Sequence, residues 1–344
     1  MLPRPPLHAT FVAGLMLASA SALVHCSSED GASPAGQADG GGGDGTASST
    51  SSSGGGGSSS SSSGGPGDGG GDANQGPRCD PSKPFGEPMM VLEGSFRIDQ
   101  SARLSPDELT LTYASYGHDG VNGQTELFVA TRASTSVPFE NPTKIAELST
   151  SESESFPTVT ADGLTIYYQG KLDDAGYGTL RATRPSTTSP WGAPTMLAGL
   201  DLSMIYVAPD GTRLYGVKDL PGGPPYNADL HYVDLPYDGG ASQVIPGTAS
   251  GGLQYWPVMS ADGLTLFYSY PMLNPYRWEL GVAKRATTSD PFGPVTKVAE
   301  LDTVAGADEN ADWVSPDGCT LYIRRVNATI DGNASGLLQA TRGL

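Results

Sequence analysis

From about residue 84 onward, apolar and polar side chains alternate with a period of two in short runs, and the runs recur. Leu164-Thr165-Ile166-Tyr167-Tyr168 and Leu264-Thr265-Leu266-Phe267-Tyr268 are the clearest examples. Such alternation predicts half-buried strands. Each run follows a small residue, then Pro or Ala, then Asp-Gly. Five copies start at Ser105, Thr160, Ala208, Ser260 and Ser315, giving periods of 55, 48, 52 and 55. The turn chemistry accounts for the motif: Pro pre-sets φ, Asp suits the next position, and Gly takes the positive-φ slot that closes a hairpin. Glu108 fills the glycine slot of the first copy and is expected to cost about 1 kcal/mol of local strain.

A third strand is predicted after each hairpin, at residues 126–132, 178–184, 229–235, 279–285 and 336–342. A fourth, beginning with Pro-aromatic and ending in Leu, follows three copies: 138–148, 190–200 and 291–301. The third copy is degenerate here, with Ser242 to Ile245 as its best candidate. The last copy stops at Leu344 without a fourth strand, and a matching segment, Pro84-Phe85 to Leu92, precedes the first copy. The simplest geometry is a closed ring, which removes open sheet edges. The expected fold is all-β: a five-bladed β-propeller of four-stranded antiparallel blades, closed 3+1 by the N-terminal strand, over residues 79–344. The five in-register copies resemble the WD-like repeat of the TolB-type β-propeller family of exported bacterial proteins. That resemblance implies a fold far more firmly than a function.

The N-terminal region reads differently. Residues 1–26 have one cation, Arg4, before an apolar run from Phe11 to Ala22, which is too short for a permanent membrane span and fits a secretory signal. Leu23-Val24-His25-Cys26 resembles a bacterial lipobox, which implies acylation of Cys26, although His25 departs from the pattern. Ser27 after the cysteine resembles the sorting pattern for the outer membrane. Ala20-Ser21-Ala22 offers an ordinary cleavage site as the alternative. Residues 27–78 are almost wholly Gly, Ser, Ala and Asp and cannot bury enough apolar surface to order themselves. They are expected to form a flexible tether reaching roughly 40 Å. The chain is thus expected to be exported and lipid-anchored, at the outer membrane or cell surface of a Gram-negative-type bacterium.

Composition narrows the function classes. The 47 Gly and 28 Pro make up about a fifth of the 344 residues, which disfavours a helix-rich enzyme. The net charge is −18, and residues 77–344 carry 18 Lys and Arg against 31 Asp and Glu, or −13. That balance argues against nucleic acid and favours basic or neutral partners. Three cysteines exclude a Cys₄ zinc site. In a closed ring Cys79 and Cys319 fall in the same blade, and the exported compartment is oxidising, so a Cys79–Cys319 disulfide is expected.

The loops between second and third strands are the longest and most varied, and they share one end of the ring. They are expected to present Tyr116, His118, Asp119, Asp173, Tyr177, Tyr276 and Trp278, an aromatic and acidic set suited to sugar or peptide. Asp99, Glu154 and Glu309, each six residues before a repeat, are expected to crowd the central channel, where three carboxylates could hold Ca²⁺. No G-x-S-x-G, H-E-x-x-H or Walker A motif is present. The expectation is a monomeric, non-enzymatic binding or scaffold module for an envelope protein, peptidoglycan or polysaccharide. The alternative is a glycoside hydrolase or carbohydrate-binding protein using Asp99, Glu154 and Glu309.

Overall fold

The computed structural model describes residues 78–92, 99–116, 124–172, 176–220, 227–248, 252–273, 276–303, 306–326 and 336–344. The signal segment, Cys26 and the tether as far as residue 77 lie outside them, as do His118, Asp119, Asp173 and the side chains of Asp99 and Tyr276, whereas Arg78, expected at the end of the tether, is held against the folded ring.

Among the described residues the chain opens with a two-residue strand, β1 (Met89–Met90). Blade 1 follows, with β2 (Asp99–Leu104), β3 (Thr110–Tyr116), β4 (Thr125–Thr131) and β5 (Glu140–Lys144). Blade 2 contains β6 (Ser155–Val159), β7 (Thr165–Lys171), β8 (Tyr177–Thr183) and β9 (Thr195–Met196). Blade 3 contains β10 (Ser203–Val207), β11 (Arg213–Asp219), β12 (Ala228–Asp234) and β13 (Gln243–Val244). Blade 4 contains β14 (Tyr255–Met259), β15 (Thr265–Leu273), β16 (Tyr276–Lys284) and β17 (Thr296–Lys297). Blade 5 has β18 (Asp308–Val314), β19 (Thr320–Val326) and β20 (Gly336–Thr341), and its outermost strand is β1.

The ring is closed. Each first strand touches the first strands of both neighbouring blades, and β18 returns to β2. The outer edge of blade 5 is completed from the other end of the chain: Met89 pairs with Gln339, Met90 with Leu338, and Val91 N–H donates to Leu337 O at 2.9 Å. The fold is therefore the five-bladed, 3+1-closed propeller expected from the repeat. The core lies between blades, as where Ala114 and Leu127 of blade 1 cluster with Ile166, Tyr168 and Leu180 of blade 2.

The repeat motif is legible in its hydrogen bonds. The N–H at the glycine slot of each turn, Glu108 in the first copy and Gly in the other four, donates back to the carbonyl of the first residue, as in Gly163 to Thr160 at 2.8 Å and Gly263 to Ser260 at 2.9 Å. The aspartate accepts from the N–H two residues on, as in Leu164 to Asp162 at 2.9 Å. In four copies the leading Ser or Thr hydroxyl accepts from the first strand residue, as in Thr165 to Thr160 at 3.0 Å. A second device ends the third strand. Arg184 donates from Nε to Gly163 O at 2.7 Å and stacks 4.2 Å from the Trp191 ring, joining turn, third strand and fourth segment. Arg285 with Gly263 and Phe292, and Arg342 with Gly318 and Phe85, repeat it. Leu235 holds the corresponding place in blade 3, and the fourth strand there is the least regular of the five in sequence.

The innermost strands carry a feature the sequence does not announce. All five are bulged. In four of them the bulge residue is left-handed without being glycine: Ser101, Phe156, Met204 and Trp256, at φ 55°, 52°, 49° and 53°. Such a conformation is unfavourable for bulky side chains. It recurs at one position, two residues after Asp99, Glu154, Leu202 and Gln254.

A disulfide ties the closing segment to blade 5, and a charged cluster ties blade 5 to blade 1. Cys79 and Cys319 are bonded, with Cα atoms 5.6 Å apart. Arg78 holds both oxygens of Asp317 in the blade 5 turn, at 2.8 and 2.9 Å, and also donates to Glu108 in the blade 1 turn. Glu108 is strained as expected, at φ 62°. Its buried carboxylate accepts from Tyr322 Oη at 3.0 Å and lies 4.0 Å from Arg132. The departure from glycine thus supplies an interblade anchor.

Candidate functional site

The ring presents two ends. At the loop-rich end, Tyr116 closes β3 and is 40% exposed, while Tyr177 opens β8 on the neighbouring blade and is 52% exposed. The Tyr177 hydroxyl lies 2.9 Å from that of Ser155. Trp278, expected in a loop, lies instead within β16 opposite Pro271, because the blade 4 hairpin extends to Leu273 and Tyr276. Its ring packs 4.9 Å from Tyr255 and 5.4 Å from Trp256, and its main-chain N–H donates to the Asp308 carboxylate at 2.7 Å. Tyr116 and Tyr177 are thus brought to one end, whereas Trp278 belongs to an aromatic cluster partly covered by neighbouring rings.

Glu154 and Glu309 do not meet in the channel. Glu154 N–H donates to Thr125 O of blade 1 at 2.8 Å, which ties the start of β6 to the neighbouring third strand. Its carboxylate is fully buried and accepts from the Thr150 hydroxyl at 2.5 Å. Burial, reinforced by Glu126 on β4, pushes it up to about 7 against the Thr150 hydrogen bonds. Lys144 holds Glu126 at 2.7 Å. Glu309 occupies the equivalent place in blade 5, bonded to Arg325 at 3.0 Å. Burial raises it too, against the attraction of Arg325. Below it, Glu279 is held by Lys297 at 2.6 Å. The two carboxylates therefore serve different junctions, 1/2 and 4/5, rather than facing one substrate. Among the described residues no group of three His, Cys, Asp or Glu could hold a metal ion.

The opposite end has a cavity that the sequence reading missed. It lies on the axis, has a volume of about 340 Å³, and draws wall residues from all five blades. Arg103, Tyr206 and Trp313 line it at one position, the fifth residue of the segments that begin at Asp99, Leu202 and Glu309. One differing residue per copy leaves no repeated signal, so only the ring assembles the site.

The chain is thus a five-bladed β-propeller with a loop-rich end and an axial cavity at the opposite end. No family model and no curated protein matches the chain. Solved structures share its architecture at low identity. It is similar to TolB from Acinetobacter baumannii (14% identity, TM-score 0.44), over 71% of this chain and 54% of that one, so it spans little more than half the length of that protein. It is also similar to an endo-arabinase from Bacteroides thetaiotaomicron (14%, TM-score 0.47; 76% of this chain, 98% of that one). A third likeness is to the catalytic domain of a GH62 α-L-arabinofuranosidase from Coprinopsis cinerea (10%, TM-score 0.46; 76% and 97%). These likenesses are of fold alone.

Proposed function

We propose that the chain is an exported, lipid-anchored propeller that works as a non-enzymatic binding or scaffold module of the cell envelope. Its partner is an envelope protein, peptidoglycan or a neutral polysaccharide, met at the loop-rich end. The observation that carries this reading is the exposure of Tyr116 and Tyr177 on neighbouring blades at that end. Exposed aromatic faces are what sugar and peptide recognition uses. The burial of Glu154 and Glu309 at separate junctions supports binding over hydrolysis, which needs two carboxylates flanking one bond. The net charge of −18 disfavours nucleic acid as the partner.

The test is recovery of partners from envelope extract with the mature chain and with a Tyr116→Ser/Tyr177→Ser variant. The reading expects at least one partner to be lost with both tyrosines. Equal recovery by both proteins sinks the assignment to this end. Turnover of an arabinan or another plant polysaccharide, abolished by Glu154→Gln or Glu309→Gln with the fold intact, would replace binding by catalysis. Cys26→Ala is expected to move the chain from the membrane fraction to the soluble one.

A further inference from the structure

The axial cavity at the turn end has a definite chemistry. Its mouth is ringed by the second residue of every repeat: Pro106, Ala161, Pro209, Ala261 and Pro316. Behind them Leu104, Val159, Val207 and Val314 make an apolar wall. At about 340 Å³ the space is at the small end of the ~300–1,000 Å³ range of ligand pockets. Arg103 lines it and is only 6% exposed. Its guanidinium donates to main-chain carbonyls of three blades: Ala102 O on its own strand at 3.0 Å, Asp312 O of blade 5, and Ile205 O of blade 3 at 3.4 Å. Its cation stands 5.0 Å from the Tyr206 ring. Among the described residues Nε donates to nothing.

A buried arginine is ordinarily satisfied by the two oxygens of a carboxylate or phosphate, whose geometry matches its fork. Here the nearby carboxylate, Asp312, also faces Arg324 and makes no side-chain hydrogen bond to Arg103. The desolvated Arg103 guanidinium, at the edge of a largely apolar cavity that Thr158 and Asp210 also line, therefore shares its one nearby buried carboxylate with Arg324 and lacks a full counter-charge. Phosphate is disfavoured, because one arginine and aliphatic walls do not compensate a dianion's lost hydration.

We infer that this cavity binds a small carboxylic acid with an apolar body, the carboxylate on Arg103 and the body against the aliphatic wall. Free acids and the C-terminus of a peptide ending in an apolar residue share that chemistry. The site is separate from the loop-rich end and does not depend on the reading given for it.

Calorimetry on the mature chain tests this with 4-phenylbutyrate against its amide, and with acetyl-glycyl-phenylalanine against its C-terminal amide. At least one acid is expected to bind with a dissociation constant at or below about 1 mM. Its amide should bind at least about tenfold more weakly, as expected when one charge-assisted contact of about 1.4 kcal/mol is lost. Which acid binds better identifies the source, and either result supports the site. Ala261→Trp, at an exposed rim position, should block binding without touching Arg103. Arg103→Met should erase the preference for acid over amide. Tyr116→Ser/Tyr177→Ser should bind the acids as the wild type does. Equal binding of acid and amide, retained binding in Ala261→Trp, or no binding of either acid overturns the inference. None of those results bears on the envelope partner.

Discussion

Replacing Glu108 by glycine restores the consensus turn and sets two effects against each other. At φ 62° the glutamate is in a conformation that glycine adopts freely, so the substitution should recover about 1 kcal/mol. It also removes a buried carboxylate from the seam. Stripping one partner from a buried ion pair costs about 3–5 kcal/mol when the other is left bare. Here the others are not bare. Arg132 keeps Glu108's main-chain carbonyl at 2.7 Å, Tyr322 at 2.6 Å and Gln339 at 3.1 Å. Arg78 is 41% exposed, keeps Asp317 and can rehydrate. The loss should fall to roughly 2–4 kcal/mol, and the net effect to a destabilisation of about 1–3 kcal/mol. Urea unfolding of the oxidised mature chain, followed by tryptophan fluorescence, reads this as a lower midpoint at unchanged slope. Glu108→Gln keeps the strain and most of the hydrogen-bond geometry, and should lie between glycine and wild type. A Glu108→Gly protein as stable as wild type, or more so, would show that the turn strain outweighs the anchor.

Three further outcomes are expected. Cys79→Ser should lower stability by up to about 5 kcal/mol, the chain-entropy value for a loop closed over a separation of 240 residues, and mass spectrometry of the unreduced wild type should find neither Cys79 nor Cys319 alkylatable. Glu154 binds its proton more tightly folded (about 7) than unfolded (4.5), so its contribution should fall as pH rises from about 4.5 to 7, by roughly 1–3 kcal/mol; an unchanged slope of stability with pH in Glu154→Gln would refute the assignment. Gly247→Ala should cost about 2–4 kcal/mol in chemical unfolding, because at φ 90° its β-carbon would come within 2.1 Å of Phe292 O.

What was legible in the sequence follows from what repeats. The Asp-Gly turns, the alternating strands and the stray Pro84-Phe85 segment recur, and from them the blade number and the closing strand could be read. The seam could be read only in part. Cys79 and Cys319 stand out as a pair, but the partners of Glu108 are scattered at Arg78, Arg132 and Tyr322 and share no spacing. The bulges at Phe156 and Trp256 put bulky residues in a conformation that local preference disfavours, so no glycine marks them. Glu154 and Glu309 stand out in the sequence as a matched set, yet alternation along a strand does not tell an axial side chain from one turned into the next blade. Their carboxylates went to the junctions. Arg103 and Trp313 gave no signal, since an axial site takes one unlike residue from each copy.

The outermost strand of blade 5 is only two residues long, and Asp80, just after the bonded cysteine, donates to Gly343 O at 2.9 Å beside the other terminus. Tension transmitted along the N-terminal side of the chain would have to pass Cys79 before it reaches Met89. The covalent link to Cys319 diverts that load into the blade's second strand, so the short outer pairing is never peeled open one hydrogen bond at a time. If the chain is moored by this end, as proposed, it can be tugged without unwinding, and the resistance of that attachment is set by a chemical bond rather than by two rungs of a ladder.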